Sequence, residues 1–171
     1  SRGLCWLEPL VEVETVAGRI GFGPIKASDV DSLFEAGFPG PCKHPLALGP
    51  VDQIDWLKKQ QRFCFSRNGI TDPLDLDDYL AHGGWRGLEQ ALRMESAGIV
   101  QCVIDSGLRG RGGAAFPSGI KWKTVLDQPP TQKYIVCNAD EGDSGTFSDR
   151  MLMEGDPYRL IEGMLIAGIA V

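Results

Sequence analysis

The 171-residue sequence has no CxxC pair, no Walker A phosphate loop and no long apolar run. Each absence removes a class of function. The five cysteines, Cys5, Cys42, Cys64, Cys102 and Cys137, are odd in number and widely spaced. A disulfide framework needs paired spacings, so these read as reduced, mostly buried thiols of a cytoplasmic protein. Basic residues are in the minority, 17 against 23 acidic ones, for a net charge of −6. Bulk nucleic-acid binding needs a basic face, so any anion site here must be local. The longest apolar stretch is broken by Arg159, Glu162 and Gly163, which leaves too little to insert into or span a bilayer. No secretory signal pattern is visible. The sequence opens without methionine and stops at Val171 inside an apolar helical pattern, so a segment of a longer polypeptide is expected.

What is present is enough for a core. Hydrophobic residues make up 43% of the chain, and 22 glycines with 11 prolines imply many turns. Residues 10–14 alternate apolar and acidic, which suits a half-buried strand, and 19–22 read as its return. Ser28 then opens a helix that Gly37 ends. Residues 38–50 hold four prolines and read as a linker that packs through Leu46 and Leu48. Val51, Ile54 and Leu57 predict a helix over 51–65. Short helices follow at 76–80, 86–96 and 98–105. Lys133–Cys137 reads as a buried strand, Asn138–Asp149 as a polar loop, and Asp156-Pro157 as the start of another helix. This order predicts the opening of an α/β domain with further strands beyond Val171.

The stretch "SGLRGRGGAAFPSGIKW" (106–122) carries the first chemistry. Gly110, Gly112 and Gly113 remove side-chain walls and permit positive φ. Such backbone can turn several amides toward one point and form an anion nest. Arg109 and Arg111 add planar donors suited to phosphate, with Lys121 within reach. Gly110-x-Gly112-x-x-Ala115 matches the dinucleotide fingerprint formally, but a helix rather than a strand precedes it. A structural turn with solvated arginines and a single RGG-type RNA contact are the competing readings. Phe116 and Trp122 also fit as core aromatics, Trp122 the better of the two.

The second constellation is "CNADEGDSGTFSDR" (137–150). A strand end delivers Asn138, Asp140, Glu141 and Asp143 into one loop. Carboxylates accept hydrogen bonds from sugar hydroxyls and repel phosphate, so they suit the sugar or ring end of a nucleotide. A divalent-metal loop and a plain solvated acidic loop are the rivals; no histidine is near and the spacing is not that of an EF-hand. Together the two stretches define a polarised site, cationic at one end and acidic at the other.

"SGLRGRGGAAFPSGIKW" followed by "KYIVCNADEGDSGTFSDRMLMEGDPYRLIEGML" resembles the family of FMN- and NADH-binding subunits of complex I. That family includes the diaphorase subunits of NAD-linked hydrogenases and of soluble NAD-dependent formate dehydrogenases. The resemblance covers about residues 70–171. Upstream, "HPLALGPVDQIDWLKKQ", "GITDPLDLDDYLAHGG" and "RGLCWLEPLVEVE" look most like the formate dehydrogenase β subunit. The resemblance implies FMN and NAD as cofactors. Gly110, Arg111, Gly112, Gly113 and Ala114 would wrap the FMN, and Lys121, Asn138, Asp140 and Glu141 would also contact it. Phe116 would stack on the nicotinamide dinucleotide and Asp143 would contact it, although relatives carry glutamate at that position. Ala115 stands where glycine is common, and Thr124 where an aromatic NAD contact is found.

The implied fold is α/β in three parts. Residues 1–37 would be the C-terminal remnant of a thioredoxin-like ferredoxin domain, 38–50 the Pro-rich linker, and 51–171 a helical segment and the truncated start of a Rossmann-like FMN-binding domain. Cys5 and Pro9 fit the ferredoxin frame of a C-x-x-x-C pair, but Ser1 takes the other cysteine's place, so a cluster-free remnant is expected. No metal is expected on this segment; a [4Fe–4S] cluster would be ligated elsewhere in the full-length chain. The implied reaction is hydride exchange between NAD(H) and FMN and single-electron exchange with iron–sulfur clusters, without a catalytic side chain. Lys121 would favour the reduced flavin and Glu141 oppose it. The implied partners are an iron–sulfur, molybdenum- or tungsten-containing catalytic subunit and a small thioredoxin-like [2Fe–2S] subunit. A hydrogenase or complex I diaphorase is the alternative within the class. A non-catalytic docking module is the alternative outside it.

Overall fold

The computed structural model describes residues 4–16, 18–40, 42–142 and 145–171. They fall into two compact units that meet in sequence between Arg62 and Phe63. All five cysteines are free, but they are not the buried thiols expected: Cys5, Cys102 and Cys137 are exposed, and Cys42 and Cys64 half-buried. No helix among the described residues is long and apolar enough to cross a membrane.

The first unit is built on a small antiparallel sheet. Strands β1 (Val11–Thr15) and β2 (Gly18–Phe22) form the hairpin that the alternating pattern predicts, with Val13 opposite Ile20. The Arg19 guanidinium lies 3.1 Å from Glu14 across it. A third strand, β3 (Ala47–Pro50), pairs antiparallel with β2. It comes out of the proline-rich segment, whose packing is therefore sheet pairing rather than side-chain contact alone. Helix α1 (Val30–Glu35) buries Leu33, and Phe22 is fully buried with Phe38 edge-on to it.

The helix expected over 51–65 is much shorter. A 3-10 turn at Val51–Gln53 gives way at Ile54, whose ψ of 126° is extended, before α2 (Asp55–Lys58). Val51, Ile54 and Leu57 still reach one core with Leu4, Leu7 and Leu10. The apolar spacing was right about which residues meet; the break at Ile54 lets them meet without a long helix.

The second unit is helical: α3 (Leu76–Ala81), α4 (Arg86–Ala91), α5 (Ser96–Asp105), α6 (Ser118–Leu126), α7 (Ser148–Gly155) and α8 (Pro157–Ala170). Asp75 caps α3 by accepting from the Asp77 and Asp78 amides at 2.8 and 3.1 Å. Ala91, Ile99, Val100 and Ala170 form the core, with Trp122, Leu126 and Ile166 packed against it. Trp122 is thus a core aromatic.

Two expectations need correction. Lys133–Cys137 is extended but is not a strand, and it is not buried: Tyr134 and Val136 are 80% and 82% exposed. A strand exists only when another backbone pairs with it, and none does among the described residues. Asp156 does not cap α8 with its side chain. Its carboxylate is drawn to Arg67 instead, at 2.9 Å, and Pro157 alone supplies the helix-start geometry.

Candidate functional site

The glycine loop joins α5 to α6 and is closed at its base like a small hairpin. The Gly110 amide donates to the Phe116 carbonyl and the Ser118 amide to the Leu108 carbonyl, both at 2.9 Å. Arg109 and Pro117 form an antiparallel bridge. Between them the backbone is bare. The amides of Arg111 through Ala115 donate to no backbone carbonyl among the described residues. Gly113 has φ +99°, which only glycine adopts freely. At Gly112 an added Cβ would meet nothing within 4 Å, so no packing inside the protein requires glycine there.

Helix α6 begins directly after the loop, and no side chain caps its first turn. Its open amides and dipole therefore add positive potential beside the loop. Lys121 is exposed on that first turn, and Phe116 is 48% exposed rather than buried in the core. The two arginines are not equivalent. Arg109 Nη1 donates to the Ala115 carbonyl at 3.0 Å; Arg111 is exposed and makes no such bond among the described residues.

The acidic segment is organised separately. Asn138 Oδ1 accepts from the Asp140 amide at 3.1 Å, a local side-chain-to-backbone bond. Glu141 reaches forward to the start of α7. Its Oε1 accepts from Ser148 Oγ and the Asp149 amide, each at 2.9 Å, and Oε2 accepts from the Arg150 amide at 3.1 Å. The Asp149 amide is the main reason the Glu141 carboxyl is held below its ordinary range; slight desolvation opposes it, and Arg150 and Ser148 reinforce it. Asp143 lies outside the described residues.

No hydrogen bond or ion pair links the glycine loop to Asn138–Glu141 among the described residues. The segments flanking them approach α8. Helix α6 packs on α8, and a Cβ added at Gly168 of α8 would lie 3.8 Å from Ile135. A cavity of about 500 Å³ lies along residues 130–135 and the end of α8; none of the predicted site residues lines it.

Residues 103–171, which contain both stretches, match the model of the Nuo51 FMN-binding domain. Through these residues the chain is similar to the FMN-binding diaphorase family of complex I. It is 51% identical over 114 residues to the NADP-reducing hydrogenase protein HndC of Solidesulfovibrio fructosivorans, covering 67% of this chain and 23% of that one. It is 50% identical over 96 residues to an NADH-quinone oxidoreductase chain of Aquifex aeolicus, covering 56% and 22%. Against the alpha chain of the NAD-reducing hydrogenase HoxS of Cupriavidus necator it is 45% identical over 84 residues, covering 49% and 14%. The match thus spans about a quarter or less of these relatives. FMN and NAD, the cofactors expected from the sequence, are those of this family.

The sequence reading missed the polar network that fixes α8. Glu162 accepts from the Tyr79 hydroxyl and from the Trp85 and Leu88 amides, the latter two at 3.1 and 3.0 Å. Burial pushes the Glu162 carboxyl up, but the Tyr79 hydroxyl and the amides at the start of α4 outweigh that and hold it below its ordinary range. Burial, then the same hydrogen bond, pushes the Tyr79 phenol up to about 12. Arg67 stacks over the Tyr79 ring, its Cζ 4.3 Å from the centroid, and pairs with Asp156. Arg159 Nη1 donates to the Cys64 and Phe63 carbonyls at 2.6 and 3.0 Å. The signal was in the sequence: Arg159 and Glu162 interrupt an otherwise apolar helix, and buried charges need partners.

Proposed function

We propose that this chain is the flavin-holding part of an NAD-linked electron-transfer subunit. The observation that carries the reading is the loop from Gly110 to Phe116, with unbonded amides, an open Gly112 and the start of α6 beside it. The residues present fit FMN on that test. The phosphate end of FMN needs converging N–H donors and a guanidinium, and no side chain here fills the space they leave open.

In this reading the amides of Arg111, Gly112, Gly113 and Ala114 and the Arg111 guanidinium bind the flavin. Lys121 on the first turn of α6 supplies positive charge. Asn138 and Asp140 contact the ring or sugar end, and Phe116, exposed beside the loop, stacks on the nicotinamide. Asp143 is assigned to the dinucleotide by resemblance. Glu141, whose carboxylate holds the start of α7, is assigned to the flavin by resemblance. When bound, FMN supplies hydride exchange with the nicotinamide and one-electron exchange with iron–sulfur centres.

The finer reading is the diaphorase part of a cytoplasmic, NAD-dependent formate dehydrogenase, with a molybdenum- or tungsten-containing partner and a small [2Fe–2S] partner. Residues 1–37 are then a cluster-free thioredoxin-like remnant and 51–171 the opening of the flavin domain. The N-terminal resemblances support this. The hydrogenase and complex I relatives support the alternative, an NAD-reducing hydrogenase or complex I diaphorase. Two measurements test the proposal. The full-length protein in its complex is expected to carry flavin absorbance, and Arg111→Ala to weaken FMN binding about tenfold or more. A complex that stays colourless when FMN is supplied overturns the reading. Assays with formate, hydrogen and quinone then choose among the systems.

A further inference from the structure

We propose that Arg109 is a positioning residue for the flavin loop: it holds Ala115 in a left-handed backbone conformation and so sets the shape of the amide nest. The inference rests on the flavin reading of this loop. Three observations carry it. Ala115 has φ +50°, a conformation disfavoured for a residue with a Cβ by about five- to thirtyfold. The Ala115 carbonyl accepts from Arg109 Nη1 at 3.0 Å. Arg109 is itself fixed by its bridge to Pro117, between the Leu108–Ser118 and Gly110–Phe116 hydrogen bonds that close the loop.

The geometry is that of a strut. The guanidinium spans from the base of the loop to the residue whose backbone is least content in its conformation. Without that bond Ala115 relaxes toward negative φ, and the amides on either side of it reorient. The two arginines thus divide the work: Arg109 is turned in to the loop's own carbonyl, and Arg111 is left for the ligand. A solvated arginine or a second phosphate contact would have no reason to depend on residue 115.

That dependence gives the test, made in the full-length polypeptide with FMN as the probe. Arg109→Ala is expected to weaken FMN binding about fivefold, the worth of one hydrogen bond. In flavin-free protein it should also speed exchange of the Gly110 and Ser118 amides. Glycine adopts positive φ freely, so in an Ala115→Gly background the same arginine change should cost less than about twofold in affinity and leave exchange unchanged. Arg111→Ala should cost the same in both backgrounds. If Arg109→Ala costs equally in both, Arg109 contacts the ligand directly and the strut is overturned. Arg109→Met keeps the side-chain stem and serves if the alanine variant does not fold. A parent protein that takes up no FMN overturns the functional reading, while the exchange measurement still decides the role of Arg109.

Discussion

Glu141 shows how much one carboxylate is asked to do. Sequence pattern placed it in a polar loop after an extended segment, as an acceptor for the ring or sugar end of a nucleotide. The structure commits three of its acceptor positions to the start of α7. Those bonds hold its carboxyl below the ordinary range, so the cap it provides is present above the unfolded-state pKa. It is lost as pH falls through the lowered folded value, below the ordinary carboxylate range. Exchange of the Asp149 and Arg150 amides should therefore accelerate in that acid window, and Glu141→Gln should remove the pH dependence while weakening protection at neutral pH. Residue types were legible at this scale: glycines, arginines and acids in the right order signalled a polarised site. Which arginine faces inward was not legible, because Arg109 and Arg111 differ only in what the folded loop places opposite them.

At the scale of elements, the glycine loop depends on how closely α6 approaches α5. A Cβ at Gly119 would lie 2.6 Å from the Ile104 amide nitrogen and side chain, so this glycine is set by close packing rather than by φ. Gly119→Ala should force α6 outward. Overpacking of this kind costs about 1–3 kcal/mol, read as a lower denaturant midpoint. Because α6 carries Lys121 and follows the loop, FMN affinity should fall with it. The hairpin of β1 and β2, and the helices α3, α5 and α8, were legible from local signals: alternation, apolar periodicity and Pro157. The failures share a cause. Lys133–Cys137 has the composition of a strand but lacks a paired backbone. Residues 51–65 have helical spacing, but the chain turns at Ile54. Composition states a preference, and pairing or a turn elsewhere decides whether it is met.

Across the second unit as a whole, closure comes from contacts between residues far apart in sequence: Arg67 with Asp156, Tyr79 with Glu162, and Arg159 with the Phe63 and Cys64 carbonyls. Tyr79 is 1% exposed and its phenol is pushed up to about 12. Its contribution is complete below the unfolded-state pKa of about 10 and is lost as pH rises toward about 12, because the unfolded chain releases that proton first. Tyr79→Phe should cost about 1–3 kcal/mol by leaving Glu162 short of a donor. It should also flatten the alkaline loss of stability, measured by denaturant titrations between about pH 9 and 12. Residue order was enough for the local facts: an acidic net charge, the glycine loop, the acidic stretch after it and the apolar faces of the helices. These depend on residue type and spacing, which a linear chain already contains. Folding was needed to decide that Asp156 binds Arg67 instead of capping α8, that Glu162 holds the start of α4, and that Arg109 bonds to Ala115. Each of these is a choice of partner, and a charged or polar group finds its partner only after folding has brought distant backbone close and excluded water from between them.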